Sequence, residues 1–274
     1  MTYRLLPIIC ILFLAACKGN TSASTNANTT EPMAIKEETI TYTADTVAMN
    51  GLVAYNENDT TKRPVVLIVH EWWGQTDYVK NRARQLAALG YLAMAVDIYG
   101  NGKTAETPDE AKALAMPFYQ NPQMAKQRFD AAVEKIKTYP VADTDNIAAI
   151  GYCFGGGLLL NVARLGEDIK GVVSFHGSLL GTPADKNLLK AEILVCHGEA
   201  DKFVLETEVA AFKKQMDSIG AHYTFKSYAD ATHAFTNPDA TENGKKFSLP
   251  IAYNAAADTA SFKDMQDFFG RIFK

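Results

Sequence analysis

The sequence predicts an α/β fold with a mostly parallel central sheet of about eight strands and helices on both faces. Three observations point to it. Short continuous apolar runs, such as "VVLIV" (residues 65–69), "LAMAV" (92–96) and "ILVC" (193–196), suit strands buried on both faces. Amphipathic stretches separate these runs, and the resulting strand-helix-strand order builds a parallel sheet. The chain has 274 residues, 47% of them hydrophobic, enough for one sizeable core.

The N-terminus stands apart from this pattern. Arg4 precedes an apolar run over 5–16, broken by Pro7 and Cys10 and too short to span a bilayer comfortably, which is the layout of an export signal. It ends in Leu14-Ala15-Ala16-Cys17, which resembles a bacterial lipobox. Cleavage before Cys17 would leave that residue lipidated at the mature N-terminus; the alternative is an ordinary cleaved signal beside a chance cysteine. "KGNTSASTNANTTEP" (18–32) has almost no apolar content, so residues 17–33 read as a flexible tether. Residues 34–274 then form a single domain, exported and lipid-anchored to a bacterial membrane, facing the periplasm or exterior.

Within that domain, "ETITYTADTVAMNGLVAY" (38–55) alternates as strands do, with Asn50-Gly51 as the hairpin signal between two edge strands. The buried run 65–69 follows, then a loop holding Glu71, Trp72, Trp73 and Gly74. Apolar spacing predicts a helix over 77–89, stopped by Gly90, and a second buried strand in "YLAMAVDIYG". A short helix is expected over 109–116. A longer one is opened by Asn121 as cap and Pro122 at its first position, running to 139. Strands follow at 147–152, 171–175 and 193–197, with a helix over 154–165 between the first two. A helix over 205–219, a strand over 222–228 and a helix over 256–273 complete the series.

A formal charge of −4, with no basic run or stripe, argues against nucleic acid or an anionic membrane surface as partner. The expected partner is a small molecule, the membrane contact being the lipid anchor alone; a monomer without cofactor is expected. No histidine cluster has metal-ligand spacing, so no metal is expected either. His70, His176 and His197 read as packing or loop hydrogen-bonding residues, and His222 as a surface residue at a strand start. Of the four cysteines, Cys10 leaves with the signal and Cys17 would carry lipid. Cys153 and Cys196 remain, and a bridge between them is open on sequence grounds.

Cys153 lies between a strand and a helix in Gly151-Tyr152-Cys153-Phe154-Gly155, the Gly-x-nucleophile-x-Gly spacing of a nucleophile elbow. By itself the pentapeptide fits a nucleophile and a buried structural cysteine equally. Asp201, in the loop after the strand "ILVC", and His233, in "YADATHAF" after the last strand, decide between them. The chain order nucleophile, acid, base, with each member just past a strand, is what a triad on such a sheet requires. The helix after Cys153 directs its positive end and free amides at the reacting atoms.

With "HEWWG", "GYCFGG", "HGEAD", "THAF" and "YNAAADTASFKDMQDFF" in this order, residues 40–273 resemble the dienelactone hydrolase family of the α/β-hydrolase superfamily. The resemblance implies an α/β-hydrolase fold and cleavage of ester or lactone bonds, with Cys153 as nucleophile, His233 as base and Asp201 as its orienting acid. It implies oxyanion donors in the backbone amides of Phe154 and Trp72, and in Glu71 a carboxylate that hydrogen-bonds the resting thiol and shifts as substrate binds. The family's founding activity holds a substrate carboxylate with two arginines. Here the first region reads "DIYGNGK", with Tyr99 and Lys103, and the second position is Asn237. Lys103 offers a point charge without the planar fork of arginine. Trp73, Tyr99, Lys103 and Asn237 are thus candidates, with Glu71, for binding substrate or modulating the nucleophile, with Trp72 and Trp73 open to a packing role. The competing reading is a membrane-tethered, non-catalytic protein that keeps the pocket to bind a ligand.

Overall fold

The apolar runs take central places in the sheet because both of their faces find helices to pack against. In β3 (Arg63–Val69), Val65, Leu67 and Val69 enter one core with Phe129 and Leu159, whereas Val66 and Ile68 enter another with Leu86 and Phe269. Each such side chain contributes about 1.5–3 kcal/mol by leaving water, so the run cannot slip by one residue without loss. The computed structural model describes residues 1–2 and 33–273. Residues 3–16 of the expected export segment, Cys17 and nearly all of the expected tether lie outside the described residues.

The other strands are β1 (Ile35–Ala44), β2 (Val47–Asn56), β4 (Leu92–Val96), β5 (Ala142–Tyr152), β6 (Gly171–Phe175), β7 (Glu192–Gly198) and β8 (Tyr223–Tyr228). Their spatial order is β1-β2-β4-β3-β5-β6-β7-β8, with β1 and β2 antiparallel at one edge and β4 through β8 parallel. Helices α1 (Asp77–Ala88) and α7 (Ala255–Ile272) cover one face; α3 (Pro122–Lys137), α4 (Phe154–Arg164) and α5 (Glu206–Ile219) cover the other. The fold class is the expected one.

Three local expectations are corrected. The edge hairpin turns at Asp45-Thr46, where Asp45 takes φ 53°, and Asn50-Gly51 lies inside β2 opposite Thr41 and Ile40. The reason is a phase change: Ile40, Tyr42 and Ala44 face one core from even positions, and Met49 and Val53 face it from odd ones. A continuous strand cannot change parity, so the chain must turn between them. Helix α2 (Pro108–Gln120) outruns the predicted 109–116 and passes through Pro117. Its capping box, Thr107 with Glu110, fixes the start, and Ala113, whose carbonyl loses its partner at Pro117, is exposed and can be hydrated. Helix α6 (Ala240–Phe247) was not expected at all.

Candidate active site

At the carboxyl ends of β3, β5, β7 and β8 the loops converge. Cys153 sits between β5 and α4 at φ 51°, ψ −113°, a conformation that a side-chain-bearing residue adopts only when its surroundings impose it. The flanking glycines make it possible. A Cβ on Gly151 would lie 2.3 Å from the Gly155 carbonyl oxygen, and one on Gly155 would lie 2.4 Å from that of Val69. Strand, turn and helix pack backbone to backbone, and the turn lifts the sulfur out.

The sulfur lies 3.0 Å from His233 Nε2, and His233 Nδ1 lies 2.8 Å from Asp201 Oδ2. The other oxygen of Asp201 accepts the amides of Phe203 (2.8 Å) and Val204 (3.2 Å), which fixes the carboxylate to its own loop. Burial opposes a charged ring at His233; the Cys153 sulfur and the Asp201 carboxylate outweigh it and raise the His233 pKa to about 10. The three residues expected from chain order are in hydrogen-bonding contact.

A second histidine supports the turn from behind. His176 Nδ1 accepts the Cys153 amide (3.1 Å), and its Nε2 donates to Thr236 Oγ1 (2.7 Å), which also bonds the Tyr78 hydroxyl (2.7 Å). Burial holds this ring neutral, and the neighbouring His233 and Arg82 push the same way. His176 is thus a strut, in line with the loop role read from sequence. Cys196 is free, as is Cys153, and lies buried in β7, its thiol pushed up to about 12 by burial. The two do not form a bridge.

The amides of Phe154 and Trp72 are spent on no acceptor among the described residues. Trp72 is held by its carbonyl, which accepts the Tyr99 hydroxyl at 2.9 Å. Tyr99 is buried behind the loop and does not line the cavity, so its expected substrate contact is replaced by a bracing one. Trp73 does line the cavity and stacks on Phe247 of α6, with centroids 5.8 Å apart.

Lys103 and Asn237 do not line the cavity either. Asp97 accepts the amides of Gly100 and Gly102, turning the chain outward, and Lys103 is exposed and outside the cavity. Asn237 is buried and donates Nδ2 to Glu71 Oε2 at 2.6 Å. Glu71 is therefore bonded to Asn237, not to the thiol, whose partner is His233. Burial pushes the Glu71 carboxyl up to about 7, against the pull of the Asn237 amide and the His233 charge.

This has a measurable consequence. The unfolded chain releases the Glu71 proton near the ordinary value of 4.5, the folded protein only near 7. Between these values the folded state binds more protons, so stability falls as pH rises through that window, by about 3 kcal/mol in full. Glu71→Gln removes this term. Denaturant unfolding should find the variant and the parent alike at pH 4 and the variant more stable at pH 8; parallel pH dependences would refute the assignment.

The cavity above the sulfur holds about 330 Å³ and is mainly apolar. Sequence reasoning missed Lys112, Met116 and Tyr119 on α2, and Phe203 after Asp201, all of which line it. Lys112, Ala115, Met116 and Tyr119 follow i, i+3, i+4, i+7 spacing, so one face of α2 forms a wall. Extending that helix past Pro117 would have brought Tyr119 into view.

A sequence profile of the dienelactone hydrolase family matches residues 49–273. The chain belongs to the dienelactone hydrolase family. Among its relatives is Protein usf of Aquifex pyrophilus, 32% identical over 64% of this chain and 77% of that one. A chain of Aquifex aeolicus that carries a provisional carboxymethylenebutenolidase name is 30% identical over the same shares. The crystal structure of P91, a dienelactone hydrolase-like promiscuous phosphotriesterase from metagenomic libraries, superposes with a TM-score of 0.82 at 29% identity, covering 87% of this chain and 99% of its own. The family and its hydrolase names make this protein a hydrolase of the dienelactone hydrolase type.

Proposed function

We infer that the protein hydrolyses the ester or lactone bond of a small molecule through an acyl-cysteine intermediate. The observation that carries the reading is the continuous contact from Cys153 sulfur to His233 to Asp201 on a strained elbow. Cys153 sulfur bonds to the carbonyl carbon while the Phe154 and Trp72 amides receive the oxyanion. The leaving alkoxide departs with the proton held by His233. Water then gives a proton to His233 and its oxygen to the carbonyl carbon, and the carbon–sulfur bond breaks to release the acid. Asp201 holds the ring in the orientation both steps need.

A thiolate leaves a tetrahedral intermediate more readily than the alkoxide of a simple ester. The chemistry therefore favours activated esters and enol-lactones, and disfavours amides. Cys153→Ala is expected to lower hydrolysis of a panel of aryl esters and lactones by about 10³-fold or more with an unchanged melting temperature. Parent-like turnover by this variant would refute the reading.

A further inference from the structure

Resting on that reading of the site, we propose that the cavity selects uncharged substrates with a flat apolar group beside the scissile carbonyl, and turns carboxylate-bearing ones away. Two half-exposed rings carry the first half. Phe203 stands edge-on to His233, with centroids 5.0 Å apart, and Tyr119 stands edge-on to Phe154 at 5.5 Å. His233 touches the thiol and Phe154 follows it in the chain, and both outer rings line the same cavity. Trp72 and Trp73 continue the aromatic lining. A flat group there meets ring faces and edges over most of its surface.

The second half rests on where the charges are. Glu71, His233 and the thiol itself line the cavity together with Lys112 and the Tyr119 phenol. His233 is occupied by Asp201 and Cys153. Glu71 presents a buried carboxyl, satisfied by Asn237, which would face a substrate carboxylate as a like charge whenever it ionised. Lys112 is exposed on the outer part of α2, where water already solvates its ammonium, and Lys103 lies outside. A carboxylate entering the apolar part would surrender hydration with no unpaired buried cation among the lining residues to receive it, since the His233 ring is already held between Asp201 and Cys153. The selection is thus by desolvation, with the aromatic rings setting shape.

The test compares matched p-nitrophenyl esters with the purified protein: the benzoate against its 4-carboxylated analogue, and the pentanoate against the hemisuccinate, each normalised to its hydroxide rate. The neutral member of each pair is expected to have the higher kcat/KM by about 50-fold or more. Phe203→Ala should lower kcat/KM for the benzoate about tenfold, mainly through KM, and by a larger factor than for the acetate; Phe203→Tyr should restore it. Binding is read without turnover by the shift in melting temperature with the unreactive amide N-phenylbenzamide and its carboxylated analogue, the neutral amide alone being expected to stabilise. If the neutral amide stabilises but no ester is turned over, the selection stands and the hydrolytic reading falls. An equal or greater rate and stabilisation with the anionic members, lost in Lys112→Met, would overturn the proposal and make Lys112 a carboxylate anchor.

Discussion

Asp201→Asn is expected to lower kcat/KM by about 10³ to 10⁴-fold while leaving the fold intact. The two carboxylate oxygens have separate duties. Oδ1 accepts the amides of Phe203 and Val204 and so holds the loop, and an asparagine carbonyl oxygen can keep both bonds. Oδ2 accepts from His233 Nδ1. An asparagine amide there donates instead, which drives the ring to the tautomer with its proton on Nε2, facing the sulfur, and leaves Nδ1 as acceptor. The ring can then neither take a proton from water nor stabilise the charge it gains. Because the loop bonds survive, melting temperature should stay close to the parent while turnover collapses. A variant within tenfold of the parent would show that Asp201 serves only its loop.

The largest stability effect is expected at Gly155. A Cβ there would sit 2.4 Å from the Val69 carbonyl oxygen and 2.6 Å from that of His70, both backbone atoms at the end of β3. No side chain can swing away to relieve the clash. Either α4 lifts from β3, breaking the bond from the Gly155 amide to the His70 carbonyl, or the strand end carrying Glu71 and Trp72 shifts. Gly155→Ala should cost at least about 4 kcal/mol, seen as a melting temperature lowered by roughly 10 °C or as loss of soluble protein. Gly270→Ala is the control, since a Cβ there meets nothing within 4 Å, and it should be neutral or slightly stabilising. Equal melting temperatures for the two variants would contradict the packing described for the elbow.

Much of this was legible in the sequence because the elements that matter are buried on both sides. The runs 65–69 and 171–175 leave only one phase and one place in the sheet, and Cys153, Asp201 and His233 follow from strand ends. What was missed has physical causes too. The Asn50-Gly51 signal is a local preference, and the parity of Ile40, Tyr42, Met49 and Val53 overrules it through burial. Helix α6 has few apolar residues, and its sequence "ATENGKKF" gives no sustained periodicity; its place comes from Phe247 stacking on Trp73. Lys103 was a candidate only through the resemblance, as a stand-in for a family arginine, but the bonds from Gly100 and Gly102 to Asp97 set its direction, which the sequence pattern does not encode. The Glu71–Asn237 bond joins residues 166 positions apart. Only the folded sheet brings them together.

The central claim is that Cys153 carries the acyl group. Rapid acid quench of the protein mixed with an excess of p-nitrophenyl benzoate, followed by intact mass and peptide mapping, tests it most directly. The expected result is one benzoyl group per chain, mapped to the peptide containing Cys153, formed at least as fast as turnover and absent from Cys153→Ala. A benzoyl group on any other residue of a turning-over enzyme, or full-rate hydrolysis by Cys153→Ala, would contradict it.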